Sequence, residues 1–248
     1  MSNSKLISCT IKSPNNSGAR THKIDRITPH CVVGQLTAEG IGSCFTSTSR
    51  QASCNYGIGK DGSIVLCVDE ANRSWCSSSN ENDQRAVTIE CASDKTEPYA
   101  MTDAVYQSLI KLCVDICKRN GKKKLLWFGG KDKTLNYSPK SDEMVLTVHR
   151  WFANKACPGD WLYNRLGDLA KQVTAKLSAK AVKAAGDFNF KVKVTDSALN
   201  IRAGAGQKYR SVGCIKDKGV YTITQVKGDW GKLKSGAGWI NLKYTKRV

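Results

Sequence analysis

Two histidines and a cysteine stand out among the residues whose types could do chemistry. His149 precedes Cys157 by eight positions, Lys155 lies between them, and His30 lies far upstream in a strand-like segment. Imidazole and thiolate groups are good zinc ligands, and a catalytic zinc site usually takes three protein ligands and a water. The same spacing also fits two isolated histidines and one more buried cysteine. Spacing alone therefore leaves both a metal site and a structural role open.

A glycine motif offers a second possible site. Residues 57–62 read Gly-Ile-Gly-Lys-Asp-Gly, which satisfies the pattern G-x-G-x-x-G. A dinucleotide site needs this pattern to follow a strand and to open a helix, so that the start of the helix meets the pyrophosphate. Here the strand-like residues 63–68 follow the motif. The sequence therefore predicts a β-hairpin and not a cofactor site.

The elements that must position these residues alternate between the two-residue period of strands and the 3.6-residue period of helices. Strand-like patterns cover residues 27–33, 56–58, 63–68 and 86–91, and helical patterns cover 37–44, 102–119 and a long segment after Cys157. We expect Thr102 and Asp160 to cap the second and third helices, since Thr and Asp side chains accept hydrogen bonds from the first helical N–H groups. This order of elements indicates an α/β or α+β fold.

The pattern changes near the C-terminus. A stretch rich in alanine and lysine, residues 178–188, is typical of a linker. Beyond it, short strand-like runs separated by glycine-rich turns cover residues 190–194, 199–202, 220–226, 230–233 and 238–242. Several short strands at this spacing predict a small all-β barrel or sandwich.

Charge is concentrated in the same C-terminal region. The 248-residue chain has 39 Lys and Arg against 21 Asp and Glu, a formal net charge of +18. Residues 179–248 carry 15 basic and 4 acidic side chains, net +11, whereas residues 1–178 carry 24 and 17, net +7. Such a balance favours a polyanionic partner: nucleic acid, an anionic membrane surface or an anionic wall polymer.

Cysteine usage and the N-terminal segment suggest a compartment. Eleven scattered cysteines include no C-x-x-C pair, so we expect most of them to be buried free thiols in a reducing environment. The first residues lack the apolar stretch of a secretory signal, and no apolar run is long enough for a membrane helix. We therefore expect no stable membrane insertion, and a cytoplasmic protein unless it leaves without a cleaved leader.

Four sequence blocks, taken in order, resemble one family. They are residues 27–33 around His30, residues 54–64, residues 86–90, and residues 148–159 with the H-x₇-C-P-G pattern. Over roughly residues 5–175 the chain resembles the zinc-dependent N-acetylmuramoyl-L-alanine amidases of the type-2 amidase and peptidoglycan-recognition superfamily, especially phage endolysins. The tail, residues 190–246, resembles a bacterial SH3 domain, a family that commonly binds peptidoglycan.

The resemblance implies a fold and a division into domains. It predicts an α/β amidase domain with a central mixed sheet flanked by helices, residues 1–177, followed by the linker 178–188. It also predicts a small all-β SH3-like barrel, residues 189–248, that binds the cell wall. An endolysin would wait in the cytoplasm until it is released to act on the wall, which suits the absence of a signal.

The resemblance also implies roles for single residues. His30, His149 and Cys157 would bind one Zn²⁺ ion, and a zinc-activated water would cleave the amide between the lactyl group of N-acetylmuramic acid and L-alanine of the stem peptide. Lys155 would stabilise the oxyanion, against the alternative of a solvated surface lysine. Glu90 would act as general base and then as proton donor, against the alternative of a salt-bridged strand end.

Substrate and wall contacts are expected at aromatic and polar residues. Some members of the family place a catalytic tyrosine at the position of Cys54, which weakens a tyrosine mechanism here and puts more of the proton transfer on Glu90. Tyr56 matches the hairpin aromatic and would either face the cleft or lie in the core. Trp75 and Asn82 would lie in a polar loop that lines the muropeptide groove. The tail contributes two candidate wall-binding aromatics, Trp230 and Trp239.

Two other functional classes stay open beside the hydrolase. A non-catalytic peptidoglycan-binding protein is the alternative within the superfamily, although all three metal-ligand types are retained here. A nucleic-acid-binding protein is suggested by the charge of +18 alone, and the sequence contains no recognisable DNA- or RNA-reading motif. We therefore expect peptidoglycan as the partner, with anionic wall polymers as a possible second one, and no nucleic acid.

Overall fold

The chain divides into two compact units, which are described separately. A computed structural model describes residues 2–178 and 190–248, and these two ranges correspond to the two units. Of the predicted linker, Ser178 ends a helix, and residues 179–188 lie outside the described residues. Among the described residues, no helix combines the length and the apolar character needed to cross a membrane.

The first unit alternates strands and helices. Its strands are β1 (Cys9–Thr10), β2 (Asn16–Ala19), β3 (Arg26–Cys31), β4 (Tyr56–Ile58), β5 (Ile64–Leu66), β6 (Asn72–Ser74), β7 (Ala86–Cys91), β8 (Lys124–Leu126) and β9 (Glu143–Leu146). Its helices are α1 (Ala38–Ser43), α2 (Asn80–Arg85), α3 (Asp103–Arg119), α4 (Lys131–Leu135), α5 (Asp160–Tyr163) and α6 (Leu166–Ser178).

Seven of these strands form one mixed sheet in the order β1-β5-β4-β7-β3-β9-β8. The strands β4, β7, β3, β9 and β8 run parallel to one another, and the hairpin pair β4–β5 is antiparallel. This arrangement confirms the expected α/β domain with a central mixed sheet. The glycine motif covers the end of β4 and the turn of the β4–β5 hairpin, so the predicted hairpin is confirmed.

The two faces of the central strands differ in polarity. Along β3 and β7, the buried Ile27 and Ile89 alternate with the buried Thr28 and Thr88, because successive side chains of a strand point to opposite faces. Helix α3 contacts β4 and β7 and adds its apolar stripe to the core. The sheet therefore has an apolar face for folding and a polar face on which a site can be built.

One of the two predicted helix caps is present. Thr102 is the N-cap of α3, and its hydroxyl accepts a hydrogen bond from the Val105 N–H at 3.2 Å. The prediction for Asp160 is wrong, because the N-cap of α5 is Gly159, without a side-chain hydrogen bond. Asp160 instead accepts a hydrogen bond from the guanidinium of Arg150 at 2.9 Å. The long helix predicted here is also interrupted between α5 and α6.

The second unit is an antiparallel sheet. Its strands are β10 (Phe190–Val194), β11 (Leu199–Arg202), β12 (Ser211–Ile215), β13 (Val220–Lys227), β14 (Trp230–Leu233), β15 (Trp239–Asn241) and β16 (Thr245–Arg247). They are ordered β12-β11-β15-β14-β13-β10-β16. The all-β character is confirmed and all five predicted strands are present, while the SH3-like barrel and the domain boundaries stay predictions. Strands β12 and β16 were not predicted, because they lie at the sheet edges and are mostly polar or exposed.

Candidate active site

Parallel strands bring distant parts of the sequence to one edge of the sheet. His30 lies near the C-terminal end of β3, and Glu90 lies near the C-terminal end of β7. His149 follows β9, the other neighbour of β3, in a short 3₁₀ helix. Because the carboxyl ends of parallel strands meet at the same edge, the fold collects these side chains in one place.

His30, His149 and Cys157 form a compact group of potential metal ligands. One ligand atom from each residue lies within 4.8 Å of the other two. Sγ of Cys157 is 3.2 Å from Nδ1 of His30, and the two imidazole centroids are 5.1 Å apart. Two nitrogens and one sulfur suit zinc, and the group therefore fits the ion that the sequence resemblance implies.

The environment of the two imidazoles favours their neutral, metal-binding form. Burial, and secondarily the charge of His149, lowers the pKa of His30 well below its ordinary value. Burial, and secondarily Lys155, also lowers the pKa of His149. Burial raises the pKa of the Cys157 thiol, with a hydrogen bond to Cys31 as the next cause. A bound cation opposes that last effect, because it favours the thiolate.

Glu90 is positioned next to this group. It is the register partner of His30 on the adjacent parallel strand, so the two side chains point to the same face of the sheet. Burial raises the pKa of Glu90 to about 7, while a hydrogen bond from Cys76 and the charge of Arg50 act in the opposite direction. A carboxyl group that titrates near neutrality can both accept and return a proton.

A cavity of about 750 Å³ opens above the ligand group. Glu90, His149 and Cys157 line it, and so do Lys155 and Trp75 among the predicted site residues. Lys155 is exposed, and Trp75 is half-buried with its indole N–H donating to Ser17 at 2.7 Å. The fold therefore brings the predicted metal, acid–base and oxyanion residues around one cavity.

Two predicted substrate contacts do not lie at this cavity. Tyr56 is fully buried, and its hydroxyl donates to Glu70 at 2.6 Å and accepts from the backbone N–H of Ser4 at 2.8 Å. It is therefore a core residue, the other role that the sequence left open. Cys54, two positions earlier, is also fully buried.

Asn82 is likewise buried, because the polar loop predicted here contains helix α2. Its amide donates to Thr28 at 3.0 Å and to Ser77 at 3.1 Å, and its carbonyl oxygen accepts from Arg26 and Thr147. The bonds with Arg26, Thr28 and Thr147 tie α2 to β3 and to the end of β9, and the bond to Ser77 ties it to the preceding loop. The structure thus corrects Asn82 from a substrate contact to a structural residue.

Several residues of the cavity were not found from the sequence. Ser78 lies 2.9 Å, hydroxyl to Nε2, from His149, and Cys76 lies 3.8 Å, Sγ to Oε1, from Glu90. Arg50 and Arg73 also line the cavity. All four come from irregular segments, a single 3₁₀ turn or a short strand, where neither periodicity nor a known motif indicates which side chains face inward.

The second unit has a smaller cavity of its own. It has a volume of about 280 Å³ and is lined by Trp230 and Tyr244 together with polar residues such as Arg202, Asn200 and Asn241. Trp239 is half-buried and is not among the residues lining this cavity. Of the two candidate wall-binding aromatics, Trp230 is the one placed at a concave surface.

Comparison with solved structures finds partial likenesses. The Staphylococcus aureus hydrolase AmiA, solved with its ligand, is 13% identical, covers 72% of this chain and 87% of its own, and has a TM-score of 0.49. A selenomethionine AmpD derivative is 20% identical over 65% of this chain and 94% of its own, with a TM-score of 0.46. The Clostridium intestinale endolysin LysCS, an N-acetylmuramoyl-L-alanine amidase, is 16% identical over 70% and 98%, with a TM-score of 0.45.

Comparison of the sequence with protein families gives a more specific result. No curated protein matches the chain. The family described as Amidase_2, N-acetylmuramoyl-L-alanine amidase, matches residues 20–160, more than half of the chain. The matched range contains His30, Glu90, His149, Lys155 and Cys157.

Proposed function

Because the chain belongs to the N-acetylmuramoyl-L-alanine amidase family, we propose that it hydrolyses the amide between the lactyl group of N-acetylmuramic acid and L-alanine of the peptidoglycan stem. The observation that carries this proposal is the grouping of His30, His149 and Cys157 beside Glu90, where His149, Cys157 and Glu90 line one open cavity. Three ligands and an adjacent carboxylate are the set that a metal-assisted amide hydrolysis needs.

His30, His149 and Cys157 would hold one Zn²⁺ ion. A zinc ion in such a site supplies Lewis acidity toward the amide carbonyl and toward water. The protein supplies the orientation: Ser78 contacts His149, and the backbone N–H of Arg150 donates to the carbonyl of Cys157 at 3.1 Å, which closes the loop that carries both ligands. Groups that orient a ligand in this way tune metal affinity.

Glu90 would move the proton. Its raised pKa of about 7 lets it accept a proton from the attacking water and return it to the leaving amine of L-alanine. Its Oε2 is buried and accepts no hydrogen bond from a described residue, so no protein donor competes with a proton for this oxygen. Cys54 has no phenol, and the phenol of Tyr56 is buried away from the cavity. Neither residue therefore offers a tyrosine hydroxyl that could compete with Glu90.

Lys155 would stabilise the charge that develops on the amide oxygen. It lines the cavity two positions before Cys157, and its ammonium group is close enough to His149 to lower the pKa of that imidazole. A positive charge held beside the reacting carbonyl lowers the energy of the transition state more than that of the substrate.

Mass spectrometry of digested peptidoglycan tests the reaction. New free L-alanine amino termini are the expected product, whereas new reducing sugar ends would identify a glycosidase and contradict the proposal. We expect Cys157→Ser to lose both bound zinc and hydrolysis. Cys44→Ser is the matched control, because Cys44 is half-buried in another part of the same unit.

The alternative is a non-catalytic peptidoglycan-binding protein. Retention of all three ligand types beside an open cavity favours the hydrolase. The same digestion separates the two: a protein that binds purified cell walls and releases no L-alanine termini at one zinc equivalent would be a binding module.

For the second unit we propose a role in holding the enzyme on the cell wall. We also propose that the boundary between the catalytic unit and the wall-binding unit lies at the linker, residues 178–188. The unit is strongly basic, with 13 Lys and Arg against 3 Asp and Glu in residues 190–248, net +10. Its cavity presents Trp230 beside polar side chains, the composition of many saccharide and peptide sites. In the full chain, Trp230→Ala should reduce the fraction of protein that sediments with purified walls. Trp239→Ala is the control, because Trp239 does not line the cavity.

For the whole enzyme we propose an endolysin role. We also propose that anionic wall polymers are a second binding partner of this basic unit. Attraction of that kind weakens with added salt. Walls stripped of teichoic acids should therefore retain less of the full-length protein at low salt, and equal retention on intact and stripped walls would contradict it.

A further inference from the structure

Asp83 is a buried carboxylate that the proposed reaction does not use. It lies on α2 and is 1% exposed. Its oxygens accept from the backbone N–H of Cys76 at 2.9 Å, from the backbone N–H of Ser77 at 3.1 Å and from the Ser77 hydroxyl at 2.6 Å. Among the described residues, these two neighbours give the carboxylate all of its hydrogen bonds. Because a buried carboxylate is costly unless it is paired, its burial is tied to the turn that precedes α2.

The turn at residues 76–78 is fixed from both sides. Asp83 holds its first two residues. On the other side, Ser79 is the N-cap of α2: its hydroxyl accepts from the backbone N–H of Asn82 at 3.2 Å, and its carbonyl accepts from the backbone N–H of Asp83 at 2.9 Å. Helix α2 therefore folds back on the segment before it, and Ser78 lies between the two anchored parts.

Ser78 is held in a conformation that its residue type seldom adopts. Its φ is 60°, in the left-handed region. Such a conformation persists only where the surrounding structure imposes it, and it is often found at functional sites. Ser78 lines the cavity, and its hydroxyl lies 2.9 Å from Nε2 of His149. Through this turn, Asp83 is therefore connected to one of the proposed metal ligands.

The contact with Nε2 has a chemical consequence for His149. A neutral imidazole carries a proton on one ring nitrogen and a lone pair on the other. When Nε2–H donates to the Ser78 oxygen, the lone pair lies on Nδ1, the other ring atom that can bind a metal ion. His30 likewise turns its Nδ1 toward Sγ of Cys157, at 3.2 Å. A serine oxygen held beside Nε2 therefore selects the tautomer that can bind an ion through Nδ1.

We propose that Asp83 is a positioning residue for the metal centre: it fixes residues 76–78 so that Ser78 accepts a hydrogen bond from Nε2–H of His149, which leaves the lone pair of Nδ1 for the ion. The carboxylate is not itself a ligand and takes no part in proton transfer. It keeps the ring ordered before the ion binds, so that binding needs little reorganisation. This inference rests on the proposed function in one respect, namely that the ion is the one that serves hydrolysis.

Nitrogen-15 NMR of the metal-free, full-length protein shows the tautomer directly. The chain has three histidines, few enough for their ring signals to be assigned. At mildly alkaline pH, where imidazoles are neutral, we expect wild-type His149 to carry its proton on Nε2 alone. Asp83→Asn should show both tautomers, because the amide turns a donor toward N–H groups that need an acceptor. A proton on Nδ1 of wild-type His149 would overturn the proposal without any variant.

Asp25→Asn is the matched control. Asp25 is also buried, and its carboxylate accepts two hydrogen bonds from Arg85, the last residue of α2. This variant loosens the other end of the same helix, so it should lower the free energy of unfolding, as Asp83→Asn should. It should nevertheless keep the wild-type tautomer of His149. A mixture of tautomers in both variants would indicate a general loss of structure and would contradict a specific role for Asp83.

Zinc affinity in a double-mutant cycle tests the route from Asp83 to the metal ligand. Ser78→Ala and Asp83→Asn should each lower the affinity by about 10–100-fold, the usual effect of an outer contact to a ligand. The double variant should bind zinc as weakly as the weaker single variant, because Asp83 acts through Ser78. Losses that multiply would overturn the proposal. If Asp83→Asn does not fold, Ser77→Ala removes the 2.6 Å bond to the same carboxylate and replaces it in the cycle.

This proposal and the proposed function fail in different ways, because neither the tautomer nor the zinc affinity depends on hydrolysis. Absence of hydrolysis, together with a single tautomer that is lost in Asp83→Asn, would reject the reaction and leave the positioning role standing. Hydrolysis by the wild type, together with an unchanged tautomer and affinity in Asp83→Asn, would reject the positioning role and leave the reaction standing.

Discussion

His30 and Glu90 are register partners on the parallel strands β3 and β7, and their side chains emerge on the same face of the sheet. The pairing places a metal ligand and a carboxylate beside each other on two adjoining central strands, whose backbones are fixed by ladder hydrogen bonds. A site built on rigid strands needs little reorganisation during a reaction. The arrangement buries a carboxyl group next to an imidazole, which lowers the free energy of unfolding when that carboxyl is charged. This loss of stability can be measured.

We expect Glu90→Gln to stabilise the metal-free protein at alkaline pH. The folded-state pKa of Glu90, about 7, lies above its ordinary value of 4.5, so the folded protein retains a proton that the unfolded chain has lost. Wild-type stability therefore falls as pH rises from about 4.5 to about 7, and the full cost applies above 7. Near pH 8 the variant should be more stable by about 3 kcal/mol, and near pH 4 the difference should vanish.

Urea denaturation at both pH values measures this difference. Glu39→Gln is the control, because the side chain of Glu39 is exposed. The same Glu90→Gln protein should lose hydrolysis by about 100-fold or more. Equal stability of variant and wild type near pH 8 would show that Glu90 pays no desolvation cost and would remove the reason for its raised pKa.

Ser78→Ala should weaken metal binding without unfolding the protein. The Ser78 hydroxyl contacts Nε2 of His149 at 2.9 Å and orients the ring. Removal of such an outer contact typically costs about 10–100-fold in metal affinity. Competition with a chromophoric chelator measures the change. Ser43→Ala, an exposed serine on α1, should retain wild-type affinity, and an unchanged affinity in Ser78→Ala would exclude an orienting role.

Lys155→Met should lower kcat with little effect on KM. Lys155 is exposed at the cavity, so its replacement removes a charge without leaving a gap in the core. Loss of one group that stabilises an oxyanion costs about 100–1000-fold in kcat. Lys155→Arg keeps the charge and should recover part of the rate. Steady-state kinetics on a soluble muramyl peptide gives both constants, and a change confined to KM would assign Lys155 to substrate binding instead.

Val33→Asn should stabilise the first unit. Val33 has a φ of 60° and is 49% exposed, an unfavourable combination for a β-branched residue outside the core. Asparagine tolerates the left-handed region, so the strain of about 1 kcal/mol should be relieved. The thermal transition of the first unit reports the gain, and a lower transition temperature would show that the valine side chain itself contributes packing at the cavity.

Much of the framework could be predicted from local patterns. Thr102 and the apolar spacing after it indicate α3, and Lys60-Asp-Gly62 indicates the hairpin, because capping and tight turns depend on residues close in sequence. Asp160 shows the limit of such reasoning. Its type suits a cap, but Gly159 takes that position and Arg150, ten positions away, takes the carboxylate.

The sequence by itself determined the candidate chemistry: His30, His149, Cys157, Glu90 and Lys155 are distinguished by their types and by the motifs around them. Only the tertiary structure decided which side chains share the cavity, because that depends on strand order, register and helix docking, which join residues more than a hundred positions apart. Asn82 was thereby assigned to the interior and Cys76 to the site. Burial and contact are properties of the packed sheet, and no local pattern of residues carries them.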